Sequence, residues 1–139
     1  MTQSGAAPAE FLSAVDLRGP LDAVLLLKRT GVTLAAWTRD PVRIDVITVM
    51  AATLIGSLVT MVEALGGPNP QVTVIDAGAK RMLAARVDSH TALFLVAPRG
   101  VSELLLREEA QRLVRRLSEI KAHEAAKAAG PSSRTLTAK

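Results

Sequence analysis

The sequence predicts an α+β domain in the order α-β-β-α-β-β-β-α, a five-stranded antiparallel sheet with helices on both faces. Three observations carry this expectation. An apolar run, AVLLL at residues 23–27, is followed by a turn at Arg29-Thr30-Gly31 and by a second strand-like run, VTLAAWT. Later in the chain QVTVID, MLAARV and TALFLVA are separated by links so short that neighbouring strands must run antiparallel. Between these groups lies one long helical stretch, ITVMAATLIGSLVTMVEAL, and an amphipathic helix follows the last strand.

In chain order, Pro8 to Leu17 places Phe11, Leu12 and Val15 on one side of a short helix that stops at Arg18-Gly19-Pro20. Leu21 to Lys28 is apolar on both faces, which suits the middle of a sheet covered on both sides. Gly31 supplies the positive φ for the turn into residues 32–38. Asp40 is the expected N-cap of the long helix and Pro41 its first residue, and Gly66-Gly67-Pro68 ends it after Leu65. Strands follow at 71–76, 82–87 and 91–97, with Asp76 to Lys80 and Asp88-Ser89-His90 as turns. The last helix starts near Ser102, with Leu105, Leu113, Val114, Leu117 and Ile120 as its inward stripe and Glu103–Arg107 and Glu108–Arg112 as i,i+4 pairs.

The 139 residues contain no cysteine, which excludes a disulfide framework and a thiolate metal site, and MTQSGAAPAE has no secretory pattern. A cytoplasmic protein is expected. The formal charge of +4 is mostly a tail effect: residues 1–120 hold 13 Lys and Arg against 12 Asp and Glu, residues 121–139 hold 4 against 1. The expected organisation is a flexible stretch at 1–7, one domain at 8–122 and a disordered basic tail at 123–139.

Chemistry is sparse. His90 and His123 have no partners at ligand or triad spacing, and neither a G-x-S-x-G elbow nor a G-x-x-x-x-G-K-[ST] loop is present. Asp22, Asp76 and Asp88 sit at strand ends and turns, where capping explains them. No catalytic, cofactor-binding or metal-binding residue is assigned, and no enzymatic activity is expected. The three aromatics Phe11, Trp37 and Phe94 are not interleaved with basic residues, which argues against nucleic acid. Arg112, Arg115 and Arg116 alternate with Glu108, Glu109 and Glu119 as a solvated face does. Trp37 is either an exposed anchor for a partner or a side chain packed under a neighbouring helix.

The most informative stretch is Val46 to Val62, 17 residues without a charge. A spanning helix needs about 20 apolar residues, and the flanks here carry Asp45 and Glu63 in place of Trp, Tyr or a basic cluster, so a soluble helix is expected. Its sheet-facing half would be Ile44, Ile47, Met50, Leu54, Ile55, Leu58, Met61, Val62 and Leu65. The other half, Val46, Val49, Ala52, Thr53, Gly56, Ser57 and Thr60, is small or hydroxylic where a surface helix would be charged. A second copy of the chain is the expected cover, with Val49, Ala52, Thr53, Gly56 and Thr60 in the contact. A few hundred Å² of apolar burial, at about 25 cal/mol per Å², would supply several kcal/mol before entropy costs.

The hairpin LDAVLLLKRTGVTLAAWT, the Ala- and Leu-rich helix, the meander VTVIDAGAKRMLAARVDSHTALFLVA and the helix VSELLLREEAQRLVRRLSEI together resemble the Roadblock, or dynein light-chain, domain family over residues 9–120. Longin and profilin-like folds share the ββαβββα core, and the N-terminal helix favours Roadblock. The turn after the first strand is Lys28-Arg29-Thr30, where the family commonly has acidic residues. The resemblance implies a homodimer whose central helices lie side by side and whose third strands join two sheets, here through Val72, Thr73, Val74 and Ile75. It also implies a non-enzymatic platform or regulator of a small Ras-like GTPase, or alternatively a structural adaptor within a larger assembly. A weaker reading is a small-molecule sensor with a pocket between sheet and helices.

Overall fold

Alternation along two strands sets the layering. In β1 (Ala23–Lys28), Val24 and Leu26 enter one hydrophobic cluster while Ala23, Leu25 and Leu27 enter another. In β5 (Thr91–Pro98), Leu93, Leu95 and Ala97 join the first cluster, Ala92 and Phe94 the second. A strand apolar on both faces needs cover on both, and both have it. The structure is a computed structural model that describes residues 10–16 and 18–138, with side chains to residue 128.

The strands β2 (Thr33–Thr38), β3 (Val72–Ala77) and β4 (Lys80–Arg86) complete one antiparallel sheet in the order β2-β1-β5-β4-β3. β1 is interior, but β5 takes the middle place that the sequence assigns to β1. Two locally built units, the β1–β2 hairpin and the β3–β4–β5 meander, join along their most apolar strands, in register from Ala23↔Val96 to Lys28↔Thr91. In the first turn Gly31, at φ +99°, donates its N–H to the Lys28 carbonyl at 2.9 Å. A bulge between Leu26 and Leu27 gives the hairpin one extra residue on β2. The β3–β4 link is a two-residue loop with Gly78, at φ +65°, in the position that a II′ turn gives to glycine. In the β4–β5 turn the His90 N–H donates to Asp88 Oδ1 at 2.8 Å.

One face of the sheet carries the central helix, Ile44–Ala64. It starts three residues later than the sequence suggests, with Arg43 in the N-cap place and no side-chain cap. Arg39 anchors the end of β2 by donating to the carbonyls of Gly19 (2.8 Å) and Leu21 (2.6 Å), so residues 40–43 are used in passing from the sheet edge to the helix layer. The C-terminus matches expectation. Gly66, at φ +83°, donates to the Glu63 carbonyl and Gly67 to that of Val62, both at 3.0 Å, the paired bonds of a Schellman cap.

The other face carries the C-terminal helix, Glu103–Ala138, and the segment around Phe11 and Val15. Residues 10–12 are helical and Phe11 is fully buried; residues 1–7, the expected helix start at Pro8, and Leu17 lie outside the described residues. Ser102 Oγ accepts the Leu105 N–H at 3.1 Å, the expected cap. The buried stripe is Leu106, Ala110, Leu113, Leu117 and Ile120, and Leu105 is 40% exposed instead of inward. Counting back from Leu113 by two helical turns reaches Leu106, which is why it and not its neighbour faces the sheet. Glu103 and Arg107 pair at 2.9 Å, whereas Arg112 pairs with Glu109, not Glu108, because its other donor reaches the Ala14 carbonyl at 3.0 Å. The helix continues past residue 122 to Ala138; its alanine-rich part, residues 122–129, favours helix, whereas Gly130 and Pro131 beyond it do not, and the last buried side chain among those described is Ile120.

This packing can be tested at a buried and an exposed leucine. Leu83 is fully buried, paired across strands with Val74 and Leu95, so Leu83→Ala is expected to lower the unfolding free energy by about 2–5 kcal/mol in urea titration. Leu104→Ala, at a side chain 67% exposed, should change it by less than about 0.5 kcal/mol at the same protein concentration.

A second expectation concerns Asp88. Burial works to raise its carboxyl, but the Lys121 ammonium at 2.7 Å, the His90 N–H and the Thr91 hydroxyl together hold it down at about 2. A depressed folded value means that the stabilisation is complete above the ordinary carboxylate range and disappears as pH falls through about 2. The stability gap between wild type and Asp88→Asn, measured by denaturant titration, should therefore close between about pH 4 and about pH 2.

Candidate interaction surface

The rotation of the central helix decides what it shows to the outside. Only Thr48, Ala51 and Ala52 of its 21 residues are buried, packed with Ile44, Ile47 and Ile55 against Leu25, Leu27 and Phe94. The sheet beneath is small at Ala23, Ala36, Ala84 and Ala92. Small residues on both sides let helix and sheet come close, and that contact turns larger side chains outward. Thr48, with no exposed surface, shares a 2.6 Å hydrogen bond with Thr33 of β2 and is thereby satisfied.

This corrects the helical-wheel assignment. Met50 and Met61, expected to face the sheet, are each 54% exposed, and Leu65 is 86% exposed. Ala52, expected on the outward face, is buried against the sheet. The uncharged outward face itself is present: Val49 is 51% exposed, Val46 also stands clear, and Thr53, Ser57 and Thr60 are exposed beside them. Thr53 Oγ1 donates to the Val49 carbonyl at 2.9 Å, so its hydroxyl is tied to the helix. At Gly56 a methyl group would meet nothing within 4 Å. The signal that places Val46 and Met50 outward was the Thr48–Ala51–Ile55 spacing of small and β-branched residues opposite an alanine-rich sheet.

The apolar surface continues beyond the helix start. Val42 and the hairpin residue Val32 are exposed, and a methyl at Gly31 would lie 3.7 Å from the Val49 side chain, so the hairpin tip abuts the helix. By length and composition the helix would also suffice to cross a membrane, with a mean hydropathy of 1.9, but here its inward side is seated on the sheet.

β3 is an edge strand, with no neighbour beyond it among the described residues. Val72 and Val74 pack toward the C-terminal helix, and Val72, Thr73, Val74 and Ile75 are all half-buried. The strand has no lysine or proline to guard this edge, although Asp76 at its end pairs with Arg81 at 2.6 Å. The Arg81 hydrogen bond holds the Asp76 carboxyl below the usual carboxylate range. The outward helix face and the β3 edge are thus two open surfaces of one domain. Trp37 lies on the opposite edge strand, β2; it is half-buried against the cluster under the C-terminal helix, with the Arg39 guanidinium 5.3 Å from its ring centre.

Among the described residues no group of three or more His, Cys, Asp or Glu side chains gathers as a metal site would require. No protein-family model matches this sequence, and no curated protein matches it. Solved structures do match. The gliding protein MglB from Thermus thermophilus is 20% identical, covering 84% of this chain and 90% of that one, with a TM-score of 0.71. A structure described as MglB with tetrameric arrangement is 18% identical, covering 86% and 88%, with a TM-score of 0.68. A Roadblock/LC7 domain from Streptomyces avermitilis is 18% identical, covering 83% and 94%, with a TM-score of 0.68. At such identities the likeness is one of architecture, and it agrees with the strand order, the central helix and the closing helix described above. The chain has the fold of a Roadblock/LC7 domain.

Proposed function

We propose that this chain is a non-enzymatic, cytoplasmic homodimeric regulator or scaffold that binds a small Ras-like GTPase. The observation that carries the reading is the uncharged outward face of the central helix, left open by its own fold beside an unguarded edge strand. Exposed apolar surface of that kind marks an interface. Val49, Thr53, Gly56 and Thr60 form the helix contact, and Val72 to Ile75 pair with the same strand of a second copy. Ala52 supports that contact from beneath, by holding the helix to the sheet. The Roadblock fold agrees with a GTPase partner, and one structural neighbour is described in a tetrameric arrangement, which agrees with self-association.

A structural adaptor is the second reading. The specific observation in its favour is that β2 leaves the sheet open at its other end as well, with Trp37 half-exposed on it, so that partners can be added on two sides.

The purified protein should run at twice its 14.6 kDa chain mass in light scattering. Gly56→Leu is accommodated by the single chain, since its side chain enters open space, and the change favours helix by about 1 kcal/mol, so the variant should fold but run as a monomer. A variant that stays dimeric removes this helix from the contact. As bait in lysate of the source cells, the wild type should recover a P-loop GTPase, and adding it should change that enzyme's GTP turnover. Unaltered turnover with retained binding would favour the adaptor, and failure to recover any GTPase would remove the first reading.

A further inference from the structure

Beside the outward helix face, a cleft runs between the C-terminal half of the central helix and the β3 side of the sheet. Its floor is Ala84 and Ala92, small side chains that leave space, and Ile55 and Leu58 form its helical wall. Arg29 and Arg86 also line it, both exposed. Arg29 comes from the β1–β2 turn and Arg86 from the end of β4, and each is fixed through its backbone: the Arg29 N–H donates to the His90 carbonyl at 2.9 Å and the Arg86 N–H to the Gln71 carbonyl at 2.8 Å. Arg39, Arg81, Arg107, Arg112 and Arg116 each hold a carboxylate within ion-pair distance. Among the described residues Arg29 and Arg86 have no acceptor for their guanidinium groups, and no carboxylate lines the cleft.

An apolar slot with two unpaired guanidinium groups calls for an occupant with the opposite pairing, an aliphatic group next to a carboxylate. The cleft is partly open and its inner space is small, ≈ 30 Å³ against roughly 300 Å³ or more for a small-molecule site, which suits one inserted side chain better than a whole organic ligand. We propose that this cleft docks a short acidic peptide segment of a partner protein. One aliphatic side chain enters between Ile55 and Ala92 while flanking carboxylates meet Arg29 and Arg86, which bind planar carboxylates through paired N–H donors. This docking does not depend on the partner being a GTPase.

The test is fluorescence polarisation with the full chain and a fluorescein-labelled peptide, Gly-Glu-Leu-Glu-Gly. Binding should saturate and be about tenfold tighter than for Gly-Gln-Leu-Gln-Gly or Gly-Glu-Ser-Glu-Gly. The double variant Arg29→Gln, Arg86→Gln should lose about tenfold in affinity, while Arg99→Gln, Arg115→Gln, which removes equal charge from exposed positions elsewhere, should stay within about twofold. All these side chains are exposed, so the variants should keep the wild-type melting curve. Equal losses in the two double variants, or equal binding of the serine peptide, would reduce the effect to net charge and overturn the proposal. So would a failure to saturate at millimolar peptide. A change of solution mass on replacing Arg29 and Arg86, with no peptide binding to the wild type, would assign the cleft to a second copy of the chain and equally refute it.

Discussion

Thr48, Ala51 and Ala52 are the three buried side chains of the central helix, and they lie on a sheet face thinned by Ala23, Ala36, Ala84 and Ala92 around Leu25, Leu27 and Phe94. That contact of small against small sets both the approach and the rotation of the helix. Close-packed interiors leave little freedom: a helix that presents Met50 and Met61 inward would be held off the alanines and would open voids beside them. Turning the small stripe inward sends the methionines and Val46 and Val49 outward. The exposed apolar face is therefore the other side of the same packing decision.

The two faces of the sheet divide the work unequally. Beneath the C-terminal helix, the larger cluster gathers Phe11, Leu21, Val24, Leu26, Leu83 and Leu93, with the helix contributing Leu106, Leu113, Leu117 and Ile120. That side resembles the closed core of an independent domain, and it is pinned at its margin by Asp88 on Lys121 and Arg112 on the Ala14 carbonyl. The face under the central helix is thinner, and much of the apolar surface of its helix stays outside. A fold organised in this way keeps its stability on one side and its capacity for association on the other.

Charge follows the same division. The outward stripe from Val46 to Met61 has none, Asp45 and Glu63 bound it, and the paired arginines of the C-terminal helix are occupied by their own glutamates. Exposed pairs of this kind contribute little to stability, and their role is to keep that face solvated. Arg29 and Arg86 at the cleft hold no carboxylate among the described residues. They stand far apart in the chain and line one cleft only because the β1–β2 turn and the end of β4 lie at the same end of the sheet, on either side of the start of β5.

Local rules account for what was legible in the sequence. Strand alternation, Gly31 and Gly78 at positive φ, the Gly66-Gly67 stop and the Ser102 cap are each decided within a few residues, and so the order of elements and most of their limits could be read directly. The uncharged character of Val46 to Val62 was equally plain. What required tertiary structure was every choice between near-equivalent local solutions. Both β1 and β5 are apolar enough for the middle of the sheet, and the joining of hairpin to meander gave that place to β5. Leu105 and Leu106 are interchangeable by composition, as are Glu108 and Glu109 as partners for Arg112, and distant contacts chose between them. The sequence by itself determined that the central helix has an uncharged face; which residues form that face was decided only when alanines from four separate strands came together under Thr48, Ala51 and Ala52, because helix rotation answers to the size of side chains that local periodicity cannot see.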